Sequence, residues 1–304
     1  YYVRTTSDLI FDLPVSAVPG YYNNDRDSKK AVNVGSLRNR GYEITIQSNN
    51  LQTKDLTWTT MLNFGHNHNE LTKIYGEENQ IISGVRIHQV GEPYYSYYGY
   101  EYAGVDPNTG RESYYLNDGT SNARNTTVNP NEAKKVIIGN HETKIEGGFS
   151  NNITWKFIDF GLNFTFSLGG KAFDAATWQH NNGNYTFGGQ LPTYYDINKM
   201  WTGPGDTNAS QPVFQYGNSS EVSSRWLMPT DYLRLKSLTL GFTAPSQWVT
   251  RIGLSKARAF FSASNLLTWK SKDLYVDPEM RVDGVCTFQT PALRTFTFGI
   301  ELGF

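Results

Sequence analysis

The sequence predicts an all-β protein whose antiparallel strands form the wall of a membrane barrel, and three observations predict it. First, two-residue alternation recurs along the chain. Phe296, Phe298, Ile300, Leu302 and Phe304 alternate with Thr295, Thr297, Gly299, Glu301 and Gly303, the period of a strand with one apolar face. Second, the intervening polar positions carry Thr, Ser, Asn, Gly and Glu with few Lys, as a wet lumen requires. Third, the connections differ in length: residues 49–55, 91–93 and 156–158 are tight, whereas 169–230 is about sixty residues long, far beyond the ~12 to 15 usual for loops in compact domains. Short turns at one end and long loops at the other are the asymmetry of outer-membrane barrels.

Composition agrees. The 304 residues carry 27 basic and 28 acidic side chains, a net charge of −1, which argues against a phosphate-tracking surface and a nucleic-acid partner. No stretch approaches the ~18 apolar residues of a spanning helix, but barrel strands average their hydropathy with polar neighbours and escape that test. Aromatic residues make up 14% of the chain, beside 28 Gly and 18% charged residues, a balance suited to strands and turns. The single Cys286 supports neither a disulfide framework nor a zinc cluster. The chain opens at Tyr1 without an initiator Met or an apolar signal segment, the expectation for a mature product or a fragment.

Taken in order, strands are predicted over residues 2–11, 42–47, 56–65, 85–89, 94–102, 143–155, 159–168, 231–243, 257–267 and 292–304, about ten in all. In 42–47 Tyr42, Ile44 and Ile46 oppose Glu43, Thr45 and Gln47, and in 56–65 the apolar side carries Leu56, Trp58, Leu62 and Phe64. In 159–168 the alternation is as regular as at the C-terminus. Phe160, Leu162, Phe164, Phe166, Leu240, Phe242, Phe298, Ile300 and Leu302 are predicted to face lipid, and Asn163, Thr165, Ser167, Thr297 and Glu301 the lumen. Counting back from Phe304 puts the tight turns at the periplasmic end, where Trp58, Trp155 and Trp248 fit an aromatic girdle. Residues 244–254 read as a short amphipathic helix opened by Pro245, and 196–201 as another within the longest loop.

Several strings carry a resemblance: Asp8-Leu9-Ile10 leading to Leu13-Pro14, Asn33-Val34-Gly35-Ser36-Leu37-Arg38-Asn39-Arg40-Gly41-Tyr42-Glu43, Asp231-Tyr232-Leu233-Arg234-Leu235-Lys236-Ser237-Leu238-Thr239-Leu240-Gly241-Phe242, Ser264-Asn265-Leu266-Leu267-Thr268-Trp269 and Arg294-Thr295-Phe296-Thr297-Phe298-Gly299. Spread in order from end to end, they resemble the C-terminal part of SusC/RagA-family TonB-dependent outer-membrane transporters. The resemblance implies a 22-stranded barrel with an N-terminal plug. Residues 1–304 would supply about its last ten strands, with the plug domain and the N-terminal strands outside this chain. It further implies TonB-dependent import of oligosaccharides or oligopeptides as the barrel subunit of a SusCD-like complex in the bacterial outer membrane. The partners would be a SusD-like surface lipoprotein, TonB acting through the plug region, the remaining barrel strands and the lipid bilayer. No cofactor is implied. A terminal aromatic on the lipid-facing register, here Phe304, resembles the signal recognised by the outer-membrane barrel-assembly machinery. Many members carry an Asp- and Gly-rich stretch where this chain has Asn125-Thr126-Thr127-Val128-Asn129, which argues against cation binding at that loop.

Chemistry-bearing patterns are sparse. His66 and His68 sit two apart on a strand, a spacing that can serve a metal, but no third ligand is evident; no metal site is expected. Neither a Gly-x-Ser-x-Gly nor a His-Glu-x-x-His motif occurs, and no carboxylate pair stands out, so no enzyme is expected. Tyr94, Tyr95, Tyr97, Tyr98, Tyr100 and Tyr102 fit an interface belt or barrel packing better than sugar stacking. Trp178, Tyr194, Tyr195 and Trp201, in the longest loop, are the substrate-binding candidates. The competing reading is a secreted, soluble β-sandwich carbohydrate-binding module, since short strands with exposed aromatics serve that role too.

Overall fold

Pairing between strands turns the alternation into two continuous faces. The computed structural model describes residues 1–14, 29–74, 79–119, 124–180, 196–213, 220–279, 283–287 and 290–304. Eight strands, Tyr2–Pro14, Lys29–Gln52, Leu56–Lys73, Ile145–Trp155, Ile158–Leu168, Tyr232–Thr243, Lys256–Lys270 and Thr295–Gly303, pair antiparallel in chain order into one sheet. Register places Leu51, Trp58, Ile153, Phe160, Leu240, Phe261 and Phe298 in a single row across seven of them. On the opposite face Thr45, Asn63, Gly148, Thr165, Arg234 and Thr268 form a second row. One step nearer the loops lie Glu43, Gly65, Glu146, Ser167, Tyr232 and Lys270. Because side chains repeat with period two, a slip of one residue anywhere would mix the rows.

The apolar face is uncovered: Phe298 is 80% and Ile300 77% exposed. A sandwich must interdigitate that face with a second sheet, so this architecture replaces the soluble-sandwich alternative with an open barrel wall. Several strands exceed the ~9 to 11 residues that cross a bilayer. Lys29–Gln52 has 24 and Leu56–Lys73 has 18, and the excess projects past the apolar band at the loop end.

At the other end the connections are short. Trp155 pairs with Ile158 across a two-residue turn whose first residue, Lys156, has φ +51°, the left-handed backbone such hairpins require and glycine or asparagine usually supplies. Lys156→Gly is therefore expected to stabilise the hairpin by about 1 kcal/mol, read as a rise in the urea midpoint of the detergent-solubilised full-length protein. The 244–254 connection holds a helical turn over Ser246–Val249 with Pro245 as its cap, then a 3-10 turn over Thr250–Ile252 closed by Gly253 at φ +76°.

Two predicted strands belong elsewhere. Residues 85–89 and 94–102 contribute Arg86–Gln89 and Ser96–Gly99 to a separate four-stranded sheet with Gln80–Ser83 and Val136–Asn140. At four residues each they alternate like barrel strands but cannot cross a bilayer. The tight turn 91–93 accordingly lies at the long-loop end, where the Gly91 N–H donates to the Leu71 carbonyl (2.8 Å) and the Leu71 N–H to that of Glu92 (3.0 Å). Two three-stranded sheets complete this loop layer: Leu227–Pro229 with Lys171–Asp174 and Val285–Cys286, and Tyr102–Val105 with Glu112–Tyr115 and Thr126–Thr127. The longest connection also holds a helix, Ala175–His180, that its sequence did not announce. The helix expected near 196–201 is a 3-10 turn, Ile197–Lys199, capped by Asp196. Most of the buried apolar side chains, among them Tyr97, Phe173, Trp226, Met228 and Leu274, gather in this layer.

Candidate functional site

The polar face of the wall meets the loop layer at Arg234, and a bulge brings the charges together. Pairing of Phe164 with Leu235 and of Asn163 with Ser237 leaves Lys236 as the extra residue. Arg234, Lys236 and Ser237 consequently all make contacts on the polar side, the re-aiming that bulges provide. Ser237 accepts a hydrogen bond from Asn163 Nδ2 (2.9 Å). Arg234, 3% exposed at its side chain, donates from Nη2 to Asp277 Oδ1 (2.7 Å), from Nη1 to Glu279 Oε2 (2.7 Å) and from Nε to Thr268 Oγ1 (3.0 Å). Lys236 Nζ reaches the same Glu279 oxygen at 2.6 Å. This fork fastens the connection between the seventh and eighth barrel strands against the wall. Burial pushes the Asp277 carboxyl up. Hydrogen bonds from Arg234 and from the Glu279 and Ala292 N–H groups outweigh that and hold it below the usual carboxylate range.

Above the wall, the loops lock to one another through buried polar groups. Glu112 accepts from Tyr114 Oη (2.6 Å), from Ser220 Oγ (2.8 Å) and from Arg225 Nη1, while Arg225 Nη2 donates to Gln211 Oε1 (2.6 Å). Tyr97 donates from its hydroxyl toward the carbonyls of Gly284 (2.9 Å) and Lys171 (3.1 Å), joining three connections that are distant in sequence. Burial pushes its phenol well above the ordinary value. The tyrosine run thus serves loop packing rather than an interface belt. Burial likewise pushes the Cys286 thiol up to about 12; Cys286 is 1% exposed. The thiolate is the reactive form, so Cys286 is expected to stay unmodified by a maleimide at pH 8 until the protein is denatured, and modification of the native protein would show the layer to be open.

The structure places the sequence-derived candidates unevenly. Trp178 donates from Nε1 to the Ser220 carbonyl (2.9 Å) and lies edge-on to Phe173. Trp201 donates to the Pro107 carbonyl (2.9 Å) and lays its ring over Gly110, whose φ of +68° and missing Cβ admit it. Both are half-buried at loop contacts, outside the wall strands. Tyr194 and Tyr195 lie outside the described residues. Phe160, Leu162, Phe164, Phe166, Leu240, Phe242, Phe298, Ile300 and Leu302 share one face of the sheet, and Phe304 is 94% exposed at its edge. His68 Nδ1 lies 3.0 Å from Glu142 Oε2, and among the described residues no three His, Cys, Asp or Glu side chains come together as a metal site. The Arg234 fork escaped sequence reasoning because Asp277 and Glu279 are some forty residues distant; the paired cations Arg234 and Lys236 inside an otherwise uncharged strand were the available signal.

An uncovered apolar face, a polar face and a loop layer at one end define a segment of an antiparallel β-barrel wall. No protein-family model matches the chain. It is 29% identical to TonB-dependent receptor P3 of Formosa agariphila, over 100% of this chain and 32% of that protein, and 24% identical to TonB-dependent receptor SusC of Bacteroides thetaiotaomicron, over 100% and 29%. Its structure superimposes on that of the RagAB peptide transporter with a TM-score of 0.83 at 27% identity, covering 99% of this chain and 32% of that one. The resemblance to the C-terminal barrel portion of SusC/RagA-family TonB-dependent transporters therefore holds in three dimensions as well as in sequence. The chain spans about a third of the length of the curated relatives it matches.

Proposed function

We propose that this chain is part of the barrel subunit of a SusCD-like importer in the bacterial outer membrane. In this reading it takes up oligomeric nutrients, oligosaccharides or oligopeptides, with energy from TonB acting through a plug that lies outside residues 1–304. The observation that carries the reading is the polar wall beneath a built loop layer, with Arg234 fastening one to the other. The likeness to a peptide transporter favours oligopeptides. The loop layer is where a SusD-like lipoprotein would close over the barrel, and Trp178, Tyr194, Tyr195 and Trp201 are the candidate substrate contacts there. The nine apolar residues named above face lipid in this arrangement.

The test is uptake of labelled oligopeptides and oligosaccharides by cells expressing the full-length transporter, with and without TonB. Uptake of one class is expected and should vanish without TonB; TonB-independent uptake, or uptake of neither class, would overturn the proposal. Where Phe304 is the natural end of the polypeptide, we propose that it also signals assembly. Deleting it is expected to lower surface abundance far more than the melting temperature of the protein that does assemble, because losing one aromatic contact costs only about 1.5 to 3 kcal/mol. Unchanged abundance would leave Phe304 as an interface anchor alone.

A further inference from the structure

A cavity of about 160 Å³ opens between the loop ends of three barrel strands and the connection that Arg234 fastens. Glu146, Ser167 and Tyr232 reach it from adjacent positions of one lumenal row, Thr230 and His141 from the loop side, and Glu279 from the fastened connection. Two features mark it as built for a ligand. Thr230 is only 5% exposed, and its Oγ1 is buried without a hydrogen-bond partner; a hydroxyl so placed is destabilising unless something else satisfies it. The second is a carboxylate left without an ion pair: of the two carboxylates lining the cavity, Glu279 is engaged by Arg234 and Lys236, whereas Glu146 is not. Glu146 has no cationic partner among the described residues.

We infer that this cavity is a subsite for a cationic amine, with the Glu146 carboxylate and the Thr230 hydroxyl accepting hydrogen bonds from an ammonium group. An ammonium carries three donors and no acceptor, which matches a wall rich in acceptors. The volume corresponds to about five water molecules at ~30 Å³ each, room for the end of one side chain or one chain terminus but not for an oligomer. The inference rests on the import reading and narrows it: the cargo carries a free amine, either on a peptide, as a lysine side chain or amino terminus, or on an amino sugar.

The experiment is a calorimetric titration of the purified full-length transporter in detergent. The probes are an amino-terminally acetylated tetrapeptide containing one lysine, the same peptide with norleucine in place of lysine, and a glucosamine tetramer. The lysine peptide should bind about tenfold more tightly than the norleucine peptide, the equivalent of one charge-assisted hydrogen bond. Glu146→Gln should abolish that preference while leaving the norleucine peptide unaffected, and Thr230→Val should reduce it severalfold. Tight, Glu146-dependent binding of the glucosamine tetramer but not the peptide would assign the site to amino sugars. A preference for lysine that survives in Glu146→Gln, or no preference in the wild type, would overturn the subsite. Binding does not need TonB, so an amine-selective protein that fails to import would overturn the transport reading and leave the subsite standing.

Discussion

Replacing Arg234 with Met is expected to release the connection between the seventh and eighth barrel strands from the lumenal wall. The substitution keeps side-chain volume but leaves Asp277 and Glu279, 14% and 23% exposed at their side chains, without the guanidinium that spans them. Removing one partner of a buried ion pair costs up to about 3 to 5 kcal/mol, here chiefly because Asp277 loses its ion-pair partner while Glu279 keeps Lys236. Hydrogen exchange over residues 271–294 in the full-length protein is the readout: protection should fall there and persist in Trp155 and Ile158 at the opposite end. Adding Asp277→Asn and Glu279→Gln to Arg234→Met should recover much of the loss. Full protection in the single variant would mean that the buried Leu274 and Cys286, rather than the ion pairs, hold the connection. The same cluster sets a pH dependence. The Asp277 carboxyl is held below its ordinary value in the fold, so its contribution is complete above the unfolded value of about 3.9 and is lost as pH falls through the depressed folded value. Loosening of 271–294 is therefore expected only below about pH 4.

Phe164→Arg should be the most damaging single change on the outer face. Phe164 lies midway along the strand Ile158–Leu168, and an arginine near the bilayer midplane of a barrel costs about 2 to 4 kcal/mol. Asn163→Arg, its neighbour in sequence and on the lumenal face, meets water and should fall within about 0.5 kcal/mol of the wild type. Urea midpoints in lipid vesicles compare the two. Equal effects would mean that the apolar face of this strand does not meet lipid.

The sequence by itself determined the elements whose pattern is local. Period-two alternation located all eight barrel strands, and it divided Phe160 from Asn163 and Phe298 from Thr297 correctly between the two faces, because side-chain direction in a strand depends only on position along it. Pro245 and the two-residue connection at Lys156 marked short turns for the same reason. Alternation cannot report which strands pair, however, and four-residue strands such as Arg86–Gln89 and Ser96–Gly99 look like barrel strands until their partners are known. Lys29–Gln52 runs well past the segment 42–47 that alternates clearly, since its extension is specified by pairing with Tyr2–Pro14 and Leu56–Lys73 rather than by an apolar face. Tertiary structure alone decided the rest. It joined Arg234 to Asp277 and Glu279, Glu112 to Ser220 and Arg225, and Tyr97 to Gly284, contacts between residues 43 to 187 positions apart. Such contacts leave no periodic trace, because each is made by a single side chain reaching across folded chain, and it is these contacts that tie the loop layer together and to the wall.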